Sequence, residues 1–422
     1  MRTNLSLYIF FTILLFTACK REDDNVFKQS PDERINEVLA TYSKALTGAE
    51  YGWKGLVYPD LTGTAPFSFY FKFDTANRVK MYSDWDSTTF STLQESSYRL
   101  KALQQPCLIF DTYNYIHILC DPDASINGGY YGGGWLSDFE FVLDSLSGDT
   151  IKLTGRLHGA KAILVKATSQ EAQDYYDRKR NWEFDNMSRF LTYFKKLHTG
   201  KADYDIIVSK LFRQITLVNS SLRFKTGFYY TPTGIAFDTP LTANGETITG
   251  FNDVKWSADN QLISLKINGA NATISSDKKP YVIDTTACSR WRTAAINANT
   301  NYMANGIHVD GQEDYYGFSS IPNYAYFFYF PNYGSGYDFC GLMESSYYGP
   351  AFKTKTSAGG VTTFTYGGTF FEIPDQGASY INDIITRFTE TTGYYFVQTS
   401  EFNTYDMVSV KDARTWINWQ LN

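Results

Sequence analysis

The chain has 422 residues, with 38 Lys plus Arg against 44 Asp plus Glu and a formal net charge of -6 at pH 7. No Lys/Arg cluster is dense enough to track a phosphate backbone, which argues against nucleic acid as a partner. Aromatic residues make up 17% and charged residues only 19%, a balance that favours ring-rich β-structure and leaves more Tyr than a core requires.

The first predicted element is a leader. Met1-Arg2, an apolar run from Leu5 to Phe16 and Thr17-Ala18 before Cys19 have the basic start, short hydrophobic region and small residues of a secretory signal over 1–18. Cys19 resembles the lipidation site of bacterial lipoproteins. That implies acyl chains on its sulfur, each buried methylene contributing about 0.8 kcal/mol to membrane anchoring. Lys20-Arg21-Glu22-Asp23-Asp24 resembles the surface-export signal of Bacteroidota lipoproteins; composition alone reads 19–29 as a solvated acidic tether. The expectation is an outer-membrane, lipid-anchored protein facing the cell exterior.

A domain of helix plus β-meander is predicted over 30–167. Ser30-Pro31-Asp32-Glu33 is a capping box with Pro at the first helical position, and apolar residues follow at helical spacing to Leu46. Periodicity then switches to two. Phe67, Phe69, Phe71 and Phe73 alternate with Ser68, Tyr70 and Lys72, turn at Asp74 to Asn77, and return through Val79 and Met81. Leu108 and Phe110 are expected to turn into a strand at Ile116 to Ile118, and Phe139 to Leu143 into Ile151 to Leu153. Sequential hairpins imply a meander, either a lipocalin-like barrel or a curled antiparallel sheet.

Thr168-x-x-Glu171 opens a predicted helical divider over 168–200. A second β-rich domain is expected over 201–422, with strands from Ile206 to Ser275, turns at Asn244-Gly245 and Asn268-Gly269, and helices at Ser379 to Phe388 and Asp412 to Leu421. The fold class is therefore mainly β with a few helices. Besides Cys19 there are Cys107, Cys120, Cys288 and Cys340; a Cys107–Cys120 disulfide and buried thiols are both compatible with the spacing.

Catalytic signatures are sparse. Asp121, Asp123, Ser125 and Asn127 have the odd-position spacing of a calcium loop, but Ile126 stands where the turn needs Gly and Gly132 where it needs an acid. His117-x-x-Cys120 is a poor zinc pair on a strand. There is no Gly-x-Ser-x-Gly elbow, P-loop or dinucleotide fingerprint. Asp138, Glu140, Asp310, Glu313 and Asp314 are acid/base candidates only in type, so the enzyme question leans to no and no metal or cofactor is implied.

Tyr/Gly loops carry the binding signal. Asn127-Gly-Gly-Tyr130-Tyr131-Gly-Gly-Gly-Trp135, Asp314-Tyr315-Tyr316-Gly317 and Asn332-Tyr333-Gly-Ser-Gly-Tyr337-Asp338 pair aromatic faces with turn glycines and polar groups. Tyr130, Tyr131, Trp135, Tyr315, Tyr316, Tyr333 and Tyr337 are the candidate ligand-binding residues. Such rings can stack on sugars, present contact area to a protein, or pack on the protein itself.

Gly52-Trp53-Lys54, the strand pair Phe69 to Trp85 with Arg78-Val79, Phe110-Asp111-Thr112-Tyr113-Asn114, and Gly148-Asp149-Thr150-Ile151-Lys152-Leu153-Thr154-Gly155 together resemble an uncharacterised group of Bacteroidota surface lipoproteins, a domain of unknown function. The resemblance implies company with SusC/SusD-type outer-membrane uptake systems and brings no catalytic residues. The expected function is accessory binding for nutrient uptake, with glycan first; a glycan hydrolase and a purely docking lipoprotein are the alternatives.

Overall fold

The computed structural model describes residues 29–61, 63–177, 180–400 and 403–422. Cys19 and its leader lie outside the described residues. The chain is mainly antiparallel β, built as two eight-stranded barrels and a third sheet.

Helix α1 (Pro31–Thr47) starts as the sequence dictates: Ser30 Oγ accepts from Glu33 N–H and Glu33 Oε2 accepts from Ser30 N–H at 2.8 Å. It buries Tyr42 and Leu46 against the first barrel, where Trp53 Nε1 donates to Leu46 O at 3.0 Å. That barrel comprises β1 (Trp53–Tyr58), β2 (Phe67–Phe73), β3 (Arg78–Ser83), β4 (Gln94–Leu103), β5 (Gln105–Phe110), β6 (Glu140–Ser147), β7 (Thr150–Gly155) and β8 (Lys161–Lys166). It closes through β1–β8 pairing. Phe67, Phe69, Phe71 and Phe73 fill its interior, each contributing about 1.5–3 kcal/mol of burial.

The expected strand at Ile116 to Ile118 is instead one helical turn, Tyr115–Ile118, because Asn114 Oδ1 accepts from Ile116 N–H and caps it. All four described cysteines are free thiols, so the Cys107–Cys120 bridge is absent.

The divider is a helix only in part. Helix α2 (Ser169–Tyr176) begins at the predicted Thr168–Glu171 box, a 3-10 turn covers Glu183–Arg189, and extended chain follows. Apolar residues at 190, 194 and 197 mimic a helical stripe, but β9 (Phe194–His198) is the strand that closes the second barrel, pairing with both of its neighbours. Tertiary pairing overrides local pattern there. The barrel continues with β10 (Asp203–Ser209), β11 (Gln214–Val218), β12 (Arg223–Thr231), β13 (Gly234–Ala243), β14 (Glu246–Ser257), β15 (Leu262–Ile267) and β16 (Ala270–Asp277). Asn244-Gly245 and Asn268-Gly269 make its hairpins, with φ positive at both residues of each pair.

The third unit opens with α3 (Ala287–Ala298), which seats Trp291 at the core. Its sheet contains β17 (Tyr302–Ala304), β18 (His308–Val309), β19 (Tyr326–Gly334), β20 (Tyr337–Met343), β21 (Tyr347–Thr356), β22 (Thr362–Phe370), β23 (Tyr394–Ser400), β24 (Thr404–Ser409) and β25 (Thr415–Leu421). Helix α4 (Ala378–Phe388) lies between β22 and β23. Strand β17 pairs with both β19 and β25, so the sheet returns on itself. The helix expected at 412–421 is strand β25, whose Thr415, Ile417 and Trp419 alternate inward at period two.

The units are joined by aromatic and ionic contacts. Tyr70 and Tyr82, on the outer face of the first barrel, stack on Tyr175 of α2. Asp84, fully buried, accepts from Arg213 at 2.8 Å, from Ser68 N–H at 2.8 Å and from Tyr230 N–H at 2.9 Å. Phe194, Tyr395, Val408 and Ala413 form a small core between the second barrel and the third sheet.

Candidate functional site

Two features could take a ligand: an aromatic face on the third sheet and a cleft between the second barrel and that sheet.

Strand alternation turns Phe327, Tyr329, Cys340 and Leu342 inward and therefore Phe328, Phe330 and Phe339 outward. Those outer rings join Tyr326, Tyr333, Tyr347, Phe370 and Phe371 in one chain of contacts. Centroids are 5.1 Å apart for Phe328–Tyr347, 4.7 Å for Phe328–Phe339, 4.9 Å for Tyr333–Phe339 and 5.1 Å for Tyr333–Phe370. Phe328 and Phe370 are the cross-strand partners of Gly341 and Gly349. At those two positions the strands approach too closely for any Cβ, which would meet a carbonyl oxygen at 2.1 and 2.2 Å. Only the edge of this platform is open to solvent: Tyr333 is 42%, Tyr347 41% and Phe371 58% exposed, while Phe328 and Phe339 at its centre are buried. Beneath it, buried Asp338 accepts from Asn332 N–H at 2.7 Å and Tyr329 Oη at 2.7 Å and pairs with Arg292. Burial opposes its charge, but Arg292, the Asn332 N–H and the Thr354 hydroxyl hold the carboxyl below its ordinary range. This anchors the hairpin that carries Tyr333.

The predicted ligand rings divide among these surroundings. Tyr337 lies against Gly367 with the Lys353 ammonium 4.8 Å from its centroid. Tyr316 packs on Phe318 and accepts from Arg387 Nε at 2.5 Å, which makes it part of the α4 contact, while Tyr315 stands perpendicular to it and is exposed. Tyr130 and Tyr131, 59% and 85% exposed, sit on a loop of the first barrel, so they share no surface element with Tyr333 and Tyr337. Trp135 is corrected from surface to core. It is 4% exposed, its Nε1 donates to Asn127 O at 2.8 Å, and Phe67 and Trp85 meet its edges. The glycines before it fold the loop back: a Cβ on Gly134 would lie 2.9 Å from Leu119 O, so these glycines serve local packing.

Polar candidates are likewise absorbed. Asp123 accepts from Ser125 N–H, and Asp121 from Asp123 N–H and Tyr113 Oη. Asp138 holds Leu157, His158 and Ala160 N–H groups, Glu140 pairs with Arg156, Asp310 with Arg414, and Asp314 accepts from Phe318 and Ser319 N–H.

Glu313 alone of those carboxylates lines the cleft, a cavity of about 1000 Å³. Other walls include Tyr193, Lys195, Asp205, His308, Tyr395, Asp406 and Trp416. Lys195 Nζ donates to Tyr193 O at 3.0 Å, and burial brings its pKa down to about 8. Asp205 accepts from Tyr281 N–H through Oδ2 while its buried Oδ1 has no partner; burial pushes its pKa up to about 6. Asp406 is satisfied by Tyr193 Oη and Asn418 Nδ2, each at 2.6 Å, and burial raises it to about 6 as well. His308 stacks on Trp416 at 4.9 Å, and burial lowers its pKa. The sequence did hold signals for these groups: Lys195 interrupts an apolar strand start, Asp205 sits within Tyr204-Asp205-Ile206-Ile207, and Phe370-Phe371 follow a Gly pair.

A domain of unknown function, DUF4302, matches residues 23–258. The chain belongs to the DUF4302 family. The matched segment takes in the first barrel and the second through β14, so the aromatic platform lies beyond it. No curated protein matches the chain. Among solved structures, it is aligned with the Helicobacter pylori β clamp bound to a DNA ligase peptide, at 7% identity and TM-score 0.14 over 92% of this chain and 98% of that one. A DnaN sliding clamp (DNA polymerase III subunit β) from Pseudomonas aeruginosa bound to griselimycin aligns at 8% identity and TM-score 0.13, over 92% and 97%. Scores this low carry no argument about fold or function.

Proposed function

We propose that this DUF4302 protein is a Bacteroidota outer-membrane lipoprotein, anchored through Cys19, that captures glycan at the cell surface for a SusC/SusD-type uptake system. The observation that carries the reading is the exposed edge of the aromatic cluster on the outer face of the third sheet, where Tyr333, Tyr347 and Phe371 meet solvent over buried Phe328 and Phe339. Exposed rings held on a rigid aromatic base match the C–H faces of sugar rings. Tyr hydroxyls at its edge, with Tyr326 and Tyr347 oxygens 2.8 Å apart, supply donors and acceptors for sugar hydroxyls. The signal and acidic tether read from the sequence support the location.

Affinity electrophoresis of the purified whole chain in polysaccharide gels tests it. Retention that disappears in Tyr333→Ala/Phe371→Ala, without release of reducing ends, supports binding; released product points to a hydrolase, and no retention on any polysaccharide refutes the reading. Metabolic labelling with palmitate, lost in Cys19→Ala, tests the anchor.

A further inference from the structure

We propose that the glycan taken by the aromatic cluster is an acidic one, whose sugar carboxylates or sulfates are met by the ammoniums of Lys353 and Lys355 beside Tyr337. The inference rests on the glycan reading above and names the class of sugar.

Register places the two lysines on the ring-bearing face. Asp338 is opposite Phe352 and Phe339 opposite Ala351, so Tyr337 continues the ladder opposite Lys353. Phe352 packs in the core and Asp338 accepts from core residue Tyr329; alternation therefore turns Tyr337 and Phe339 outward together with Ala351, Lys353 and Lys355. The contacts agree. Lys353 Nζ lies 4.8 Å from the Tyr337 centroid, and Tyr333 lies 4.9 Å from Phe339. Lys353 is two residues, about 7 Å, along β21 from the partner of Phe339, close enough for one chain of sugars to touch both.

The charge on this face has one sign. Strands β19 to β22 hold three charged side chains, Asp338, Lys353 and Lys355. Asp338 is turned inward to Arg292. Both lysines are exposed, and neither forms an ion pair among the described residues. Of the nearby acids, Glu344 is held by Tyr348 Oη and Gln376 Nε2, and exposed Glu372 follows Phe371 at the opposite end of β22 from the lysines. An anionic group is thus steered to the Lys353 end, where no carboxylate of these strands opposes it. Two exposed charges bind weakly alone; stacking of the sugar faces on the rings supplies the rest. A protein of net charge -6 has no general attraction for a polyanion, so the preference must come from this local pair.

Binding of the purified whole chain is measured by interferometry on end-immobilised hyaluronan (carboxylate only), chondroitin sulfate (carboxylate and sulfate) and neutral dextran, xylan and galactan, at low and raised salt. The first two arms separate the two anionic groups. The expected result is that at least one acidic polysaccharide binds about tenfold or more tighter than the neutral ones, less so as salt rises. Lys353→Met/Lys355→Met should lose that advantage, about tenfold, and melt as wild type does, while Lys353→Arg/Lys355→Arg keeps it. Lys101→Met/Lys152→Met, the same charge change on exposed lysines of the first barrel, should also keep it. Tyr333→Ala/Phe371→Ala should lose acidic and neutral binding alike. Neutral glycans bound as tightly as acidic ones, acidic binding unchanged in Lys353→Met/Lys355→Met, or an equal loss in the first-barrel variant overturns this proposal and leaves the glycan reading standing; no binding to any polysaccharide overturns both.

Discussion

Asp84 is the sharpest test of how the two barrels are held together. Its carboxylate accepts from a backbone N–H of each barrel, Ser68 and Tyr230, and from Arg213, with side-chain exposures of 0% for Asp84 and 8% for Arg213. Asp84→Ala leaves two buried N–H groups without a partner and a buried guanidinium with no counter-charge, held only by the carbonyls of residue 84 and Trp85. Breaking one side of a buried pair costs about 3–5 kcal/mol, and each unmet N–H about 1–3 kcal/mol; these terms overlap, so a loss of about 4–5 kcal/mol is expected. Arg213→Met leaves Asp84 with both backbone donors and keeps an apolar stem against Phe67, whose centroid is 4.1 Å from the guanidinium carbon. Its cost should be smaller, about 3 kcal/mol, the low end for breaking a buried pair. Urea unfolding of wild type, both single variants and the double variant measures this, with limited proteolysis between 177 and 194 reporting separation of the barrels. The double variant should lose much less than the sum, a coupling of about 2 kcal/mol. Losses below about 1 kcal/mol for Asp84→Ala, or strict additivity, would refute the account of a shared carboxylate clamp.

Trp135→Ala should destabilise by about 3–5 kcal/mol in thermal or urea unfolding, as loss of a buried ring does, whereas Tyr131→Ala should shift stability by no more than about 0.5 kcal/mol. Phe371→Ala should abolish polysaccharide retention with little change in melting temperature, because its ring is mostly exposed. Asp406 has a folded pKa of about 6, above its ordinary value, so the folded protein holds this proton where the unfolded chain has released it. The stability it contributes is complete at low pH and is lost as pH rises through about 6. Asp406→Asn should flatten that slope and hold or raise stability at pH 7.5; a steeper slope in the variant would contradict the assignment. Cys107, Cys288 and Cys340 are buried and burial pushes their thiols up, so iodoacetamide should label them only after unfolding.

Much of the β-framework was legible because hairpins are local. The Phe67 to Met81 hairpin, the capping boxes at Ser30 and Thr168, and the Asn-Gly turns appear where residue chemistry demands them. Long-range closure was not legible: β9 makes a hairpin with β10, but it reads as helix until its distant closing partner β16 is known. Strand β25 has two-residue alternation, but Asp412 and the run of large apolar residues imitate a capped helix. At the candidate sites, Tyr333 was visible as a loop aromatic, while the place of Phe328 and Phe339 on the outer sheet face, buried under their neighbouring rings, follows only from strand alternation. Trp135 misleads for the opposite reason, since glycines that suggest an open loop turn its ring into the barrel. The cleft could not be read at all, because its walls come from two units, Asp205 from the second barrel and Asp406 and Trp416 from the third sheet.

Ring closure also bears on how such a greasy chain stays dispersed. Each complete barrel joins its first strand to its last, leaving no row of bare backbone amides for a neighbouring copy to extend. With few charges to keep copies apart, topology takes over the task that electrostatic repulsion performs elsewhere. Through those two barrels, molecules crowded side by side would meet by side chains alone, and mutations that open a barrel seam should promote fibrous aggregation well before they erase the fold.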